Sequence, residues 1–485
     1  MGSATSCMGG KPPGTYQAKV YPLKESQIEE STKEKQATKQ AEPAAKPKPA
    51  LKTVHFDRVK LRHLEQQIQR DIDGSKFPGA SLLIKSLDGV VLNSHMGYKD
   101  SAKPNVPDNL IDDNTIFRLY SMTKPIISLA IMILRERRLL KLDDDIAKWI
   151  PCFKQSKLRV YKPGNLSLEA PQKPISVHHL LTHTSGIAYV STAPKELEPL
   201  YKAAKMGIET DEFLWSLDEV VQKLSLLPLA SEPGTEFRYG LSTDVLGYLI
   251  ERVSGKPLNV FLRENIFMPL KMETARFYYY GSLRTYFENH LAQPAFTEPQ
   301  FHNPLIEKPL FSGGGGLCCT TRDYTHFLTL FLNRGMFRGQ RIVTAKTIAL
   351  MLQPQLIAEG VKTADGFGWI ADYYYPSKAK TMPNPLSLCN FSLGGFVVDV
   401  ADEDLSGPST NRIYSYGGWG GTYFYVDPAN NYFVIFMSQC GTDPESKLVH
   451  YRTQVIKKGV EEAIIRSPAR QHYPIHPYPG SSKTT

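Results

Sequence analysis

Cysteine is scarce in this 485-residue chain, with six in all, at positions 7, 152, 318, 319, 389 and 440, and none in C-x-x-C spacing. That excludes a disulfide-built scaffold, offers no paired thiolates for a structural zinc, and suits a reducing compartment. Adjacent Cys318 and Cys319 are poorly placed to bridge each other. No uncharged run of about 20 apolar residues occurs, so no membrane-spanning helix is expected. The N-terminus lacks the apolar stretch of a secretory signal, and the glycosylation sequons at Asn165 and Asn390 carry no weight without one. Fixed-period repeats are missing, as are zinc-finger, RNP and basic-zipper signatures. The excess of 57 Lys and Arg over 48 Asp and Glu is also misleading, because residues 1–52 alone hold nine Lys against five Glu. The rest is spread thinly, so nucleic acid is not an expected partner.

What remains is a chain with 41% hydrophobic and 11% aromatic residues. Such a chain can bury a large core. Its first residues, Met1-Gly2-Ser3-Ala4-Thr5-Ser6-Cys7, fit M-G-x-x-x-[ST], in which Gly2 takes myristate and Cys7 is placed for a thioester-linked second chain. Two acyl chains, or one with nearby Lys, hold a protein stably at a membrane. A Met-Gly-Ser opening also arises as a cloning remnant. The expectation is a cytoplasmic protein held on the cytoplasmic face of a membrane. Residues 1–55, rich in Lys and Pro, read as a disordered tether, residues 56–466 as one folded domain, and residues 467–485 as a Pro-rich disordered tail.

Within the body, Leu61, Leu64, Ile68 and Ile72 have helical spacing, and a hairpin follows from Gly79 through the Leu-Asp-Gly turn to Val90-Val-Leu. Near the other end, residues 412–416, 422–426 and 432–438 read as strands, before an amphipathic helix through Val449, Val455, Val460 and Ile464. Strands at both ends and a helix-rich middle predict an antiparallel sheet assembled from the two ends of the chain, flanked by helices, with a mainly helical region inserted.

The chemistry concentrates in three places. Phe117-Arg-Leu-Tyr-Ser121-Met-Thr-Lys124-Pro opens a long apolar helix. Residues three apart share a helical face, so the Lys124 amine can reach the Ser121 hydroxyl, and amines withdrawn from water can serve as bases. The pair alone is weak evidence, since chance supplies about two or three Ser-x-x-Lys spacings in a chain this long. Pro233-Gly-Thr-Glu-Phe-Arg-Tyr239-Gly-Leu241 then leads into a second helix. A Tyr at such a place is more often a packing residue. Finally, Tyr416-Gly-Gly-Trp419-Gly420-Gly421-Thr422 reads as glycines at the start of a strand, allowing close backbone approach by a ligand and strand amides for an oxyanion hole.

In this order and spacing the three elements resemble the serine β-lactamase and penicillin-binding protein superfamily, most closely its class C-like carboxylesterase branch, over roughly residues 61–465. Residues 139–146 (Leu-Leu-Lys-Leu-Asp-Asp-Asp-Ile), 175–187, 266–274, 313–324 and Gly366-Phe-Gly-Trp369 are typical of that family too. The resemblance implies the β-lactamase/transpeptidase fold, with Ser121 as nucleophile, Lys124 and Tyr239 as base and proton shuttle, and the amides of Ser121 and Thr422 as oxyanion hole. It implies an ester or thioester substrate and no cofactor. Two departures bear on specificity. Leu241 stands where the lactamases carry the Asn of Tyr-x-Asn, and Trp419-Gly420-Gly421 replaces Lys-Thr-Gly. Both argue against efficient β-lactam turnover. The alternative is a membrane-tethered scaffold that kept the fold and lost turnover.

Other clusters have plainer readings. His179 and His183 are four apart but lack a following Glu and a third ligand, so a structural role is expected, and no metal site. Gly313 to Gly316 lacks the Lys-Ser/Thr of a phosphate loop and reads as a turn. Tyr278 to Tyr280 and Tyr373 to Tyr375 suit strand packing or an apolar acyl pocket.

Overall fold

The computed structural model describes residues 54–465, apart from 105, 163–166, 205–214, 282–283, 295–302, 357–361, 364–388, 400–411 and 441–450. Gly2, Cys7, the Lys-rich N-terminal stretch, Asn165, Gly366 to Trp369, Tyr373 to Tyr375, Val449 and the Pro-rich stretch from Ser467 lie outside the described residues.

Helix α1 (Arg58–Asp73) begins where the Asp57 carboxylate accepts from the amides of Val59 and Lys60, and it buries Leu61, Leu64, Ile68 and Ile72 as the spacing predicts. Strands β1 (Gly79–Ser86) and β2 (Gly89–Gly97) form the expected hairpin. Helices α2 (Lys124–Glu136), α3 (Ser242–Ser254) and α4 (Thr321–Leu332) follow in the middle of the chain. Strands β3 (Cys389–Phe391), β4 (Val397–Asp399), β5 (Tyr414–Gly417), β6 (Tyr423–Asp427) and β7 (Tyr432–Ser438) come last, before helix α5 (Lys458–Ala463).

These strands form one antiparallel sheet in the order β3-β4-β5-β6-β7-β1-β2. The ends of the chain meet where β7 pairs with β1, from Tyr432 opposite Ser86 to Ser438 opposite Ala80. A second tie between the ends pairs His55–Phe56 with Ile464–Ile465. Here the sequence reading needs correcting: the last helix stops at Ala463, and Ile464 belongs to a strand.

Period-2 alternation sorts the aromatic residues of β5 and β6 between two layers. Phe424, opposite Tyr416 in the ladder, packs on Tyr324 of α4. Tyr423 and Tyr425 point to the other face, where Tyr425 meets Tyr432 edge-on and Phe56 packs on Tyr432. Both layers are buried, and each fully buried Leu, Ile or Phe contributes roughly 1.5–3 kcal/mol. Helix α2 is buried from Lys124 through Leu134 and packs against α3, so its first turn sits on a rigid support. No helix among the described residues is long and apolar enough to cross a membrane.

Candidate active site

Ser121 lies in a single 3-10 turn, Tyr120–Thr123, that runs directly into α2 with Pro125 in its first turn. The residue before it, Tyr120, has φ +47°, a left-handed conformation that costs about 1 kcal/mol or more for a non-glycine residue. The surroundings hold it there. The Leu119 amide donates to the Leu317 carbonyl at 2.8 Å, the Met122 amide to Leu119 at 3.1 Å, and the Tyr324 hydroxyl to the Met122 carbonyl at 3.0 Å. The turn thus presents Ser121, half-buried, at the seam between α2 and the sheet.

Two side chains converge on that hydroxyl, and a third backs them. Lys124 Nζ donates to Ser121 Oγ at 3.1 Å, and the Tyr239 hydroxyl donates to the same oxygen at 2.7 Å. Tyr416, on β5, donates through its own hydroxyl to Tyr239 Oη at 2.9 Å. Lys124 is almost wholly buried, with Nζ also donating to the Gly314 carbonyl at 2.7 Å and to Tyr189 Oη at 3.4 Å. Those three contacts match the three donors of an ammonium group. Its Nζ stands 4.7 Å from the centre of the Tyr239 ring, a cation–π distance.

The tyrosine is braced from behind by His183, whose ring lies 4.8 Å from that of Tyr239, centre to centre. Burial holds His183 well below the usual imidazole range, and the nearby Lys124 pushes the same way, so a neutral ring packs there. His179 does a different job. It sits on the short helix Val177–Leu181, in a capping box with Ser176, and Gly234 turns tightly over its ring. The two imidazoles do not share a helical face, because the helix ends at Leu181 and His183 lies beyond it with φ +54°.

The glycine-rich segment lies just ahead of strand β6, where the sequence placed it. Gly418 to Gly421 form the turn of a hairpin between β5 and β6, closed by the Gly418 amide donating to the Thr422 carbonyl at 2.9 Å. The protein's own backbone and side chains pack close to these glycines. A Cβ on Gly418 would lie 2.2 Å from the Leu119 carbonyl oxygen, and one on Gly420 2.5 Å from the Tyr120 ring. Thr422 Oγ1 donates to the Leu119 carbonyl at 3.2 Å, pinning the hairpin beside the Ser121 turn. Trp419, at the tip, packs edge-on against Tyr120 at 5.5 Å. Leu241 is buried just before α3. The structure therefore brings Ser121, Lys124 and Tyr239 together, and the sheet side chain on their hydroxyl network is Tyr416.

Sequence reasoning gave Tyr416 and Tyr189 no role, and read His183 only as structural and Gly314 only as part of a turn, as it is. Tyr416 was legible as the first residue of the glycine-rich motif, and His183 and Gly314 fall in stretches that the resemblance had already marked. Tyr278 and Tyr279 settle as packing residues, their hydroxyls donating to the Leu310 and Thr274 carbonyls, while Tyr280 is exposed.

The family model described as Beta-lactamase matches residues 63–456. The chain belongs to the Beta-lactamase family. Membership places it among the serine hydrolases of this fold. Esterase EstB of Burkholderia gladioli is 34% identical over 205 residues, 42% of this chain and 48% of EstB. Lovastatin esterase of Penicillium rubens is 28% identical over 385 residues, 76% of this chain and 90% of that enzyme. Among solved structures, EstCE1, described as a hydrolase with promiscuous acyltransferase activity, superposes with a TM-score of 0.62 at 24% identity, covering 83% of this chain and 99% of its own. Simvastatin synthase LovD from Aspergillus terreus gives 0.61 at 23% identity, covering 82% of this chain and 97% of its own. The β-lactamase/transpeptidase fold expected from the motifs is the fold observed.

Proposed function

We propose that this Beta-lactamase family member cleaves or transfers the acyl group of uncharged esters or thioesters through an acyl-Ser121 intermediate. The observation that carries the reading is the convergence of Lys124 Nζ and Tyr239 Oη on Ser121 Oγ at 3.1 and 2.7 Å. With the Lys124–Tyr239 pair one proton short of its ammonium–phenol form, Ser121 Oγ attacks the ester carbonyl and its proton passes into that pair. The same proton then goes to the departing alcohol, so the alkoxide never leaves as a free anion. Water, or a second alcohol, reverses the sequence and releases the acid or the new ester. The Ser121 amide, at the opening of the turn, supplies one oxyanion donor, and the Thr422 amide supplies the other.

Relatives named as esterases support acyl transfer from esters. Leu241 offers no amide to a β-lactam side chain, and the sheet contributes the neutral phenol of Tyr416 to the hydroxyl network. Short to medium p-nitrophenyl esters should be cleaved and nitrocefin barely touched. Fast nitrocefin hydrolysis would overturn the specificity reading. The acylation motif at Gly2 and Cys7 supports placement at a membrane surface. An alkynyl myristate should label the protein in cells, and a Gly2→Ala variant that stays membrane-bound would remove that part of the proposal.

A further inference from the structure

Asp244 has no part in the acyl-transfer scheme, yet it is buried to 3% exposure beneath Lys124. It occupies the first turn of α3, five residues after Tyr239. Its carboxylate bonds across to the glycine-rich turn: Oδ1 accepts from Ser312 Oγ at 2.6 Å and from the Gly314 amide at 3.1 Å. Oδ2 is buried with no hydrogen-bond partner. An acid in this state costs free energy unless the surrounding charges and donors compensate it. Burial pushes its carboxyl up from the usual range, while Ser312, Lys124 and Gly314 pull it back down.

The glycines opposite are fitted to it. A Cβ on Gly314 would lie 2.4 Å from Asp244 Oδ2, and one on Gly313 2.5 Å from the Thr243 carbonyl oxygen. Only a chain without side chains can lie this close to the start of α3. Lying there, it aims the Gly314 carbonyl at Lys124 Nζ, 2.7 Å away. Gly314 thus donates to Asp244 through its amide and accepts from Lys124 through its carbonyl.

Resting on the acyl-serine reading above, we propose that Asp244 is a positioning residue that, through Ser312 and Gly314, fixes the Lys124 amine in the direction of Ser121. The amine has three rotatable donors on a flexible stem, and a misplacement of about 1 Å in a reacting group can cost on the order of 100-fold in rate. Holding one donor on a fixed carbonyl leaves the amine directed at the Ser121 hydroxyl.

The test uses the full chain and two variants. Asp244→Asn keeps an acceptor for Ser312 and Gly314 but removes the charge, whereas Asp244→Ala removes both acceptors. The expected result is a loss in kcat for p-nitrophenyl butyrate on the order of 100-fold in Asp244→Ala, with KM within about threefold, and recovery of most of that loss in Asp244→Asn. Wild-type rates in Asp244→Ala, or equal damage in both variants, overturn the positioning role. Crystal structures of wild type and Asp244→Ala read the clamp without turnover. A Gly314 carbonyl displaced from Lys124 Nζ supports it, and an unchanged contact contradicts it. Loss of fluorophosphonate labelling in wild type would instead strike the acyl-serine reading and leave the structural arm to decide the role of Asp244.

Discussion

The two walls that meet at Ser121 are built on different principles. On the helical side, Lys124, Gly314, Asp244, Ser312 and Tyr189 form a hydrogen-bonded set in which position is fixed by donors and acceptors. On the sheet side, Gly418, Gly420, Trp419 and Tyr120 fix position by contact, with glycines where a methyl group would collide. The helical wall fixes the donors around Lys124, and the sheet wall fixes how closely the hairpin approaches the Ser121 turn. Tyr239 and Tyr416 join them, one phenol from each side.

The comparison can be broken by variants that damage one wall only. The largest effect is expected from Ser121→Ala and Lys124→Ala, each lowering kcat/KM for p-nitrophenyl esters by about 10⁴-fold or more, with circular dichroism and Tm retained. On the sheet wall, Gly418→Ala should act through stability. Its methyl meets the Leu119 backbone carbonyl, which cannot swing aside, so urea denaturation should show a loss of about 3 kcal/mol. Gly420→Ala should cost less, because Tyr120 can yield as a side chain.

A pH prediction belongs to the helical wall, at the far end of α3. Burial raises Glu251 from an ordinary 4.5 to about 7, opposed by the Leu258 amide that donates to it at 2.8 Å. The folded state therefore holds a proton that the unfolded state has released between these two values. Stability falls as pH rises from about 4.5 to 7, by about 3 kcal/mol, and stays low above that. Denaturation midpoints across pH 4.5–8 should show this slope, and Glu251→Gln should flatten it. A wild-type slope unchanged in Glu251→Gln assigns the titration elsewhere. The smallest effect is expected where the walls join. Tyr416→Phe removes one hydrogen bond to Tyr239 and should lower kcat about tenfold with little change in stability.

The legibility of these features followed their range along the chain. Helix α1, the first hairpin and strand β7 came from local periodicity, and the union of the two chain ends followed from strands at both termini. Spacing paired Ser121 with Lys124, and the family resemblance added Tyr239 and the roles of all three. What local patterns could not give were contacts across the chain: Tyr416 on Tyr239 spans 177 positions, and Lys124 on the Gly314 carbonyl spans 190. The packing of the hairpin on Leu119 and Tyr120 was hidden for a related reason. Glycines before a strand look the same whether a ligand or the protein's own Leu119 carbonyl fills the space. Ile464 continued the helical spacing of its segment, but pairing with Phe56 drew it into a strand.

The central claim is an acyl-enzyme on Ser121. Incubation of the full chain with a fluorophosphonate, followed by intact mass and peptide mapping, tests it most directly. The account predicts one adduct, on the peptide carrying Ser121, absent from Ser121→Ala and formed far more slowly in Lys124→Ala. An unlabelled wild type, or a label that persists in Ser121→Ala, would contradict it.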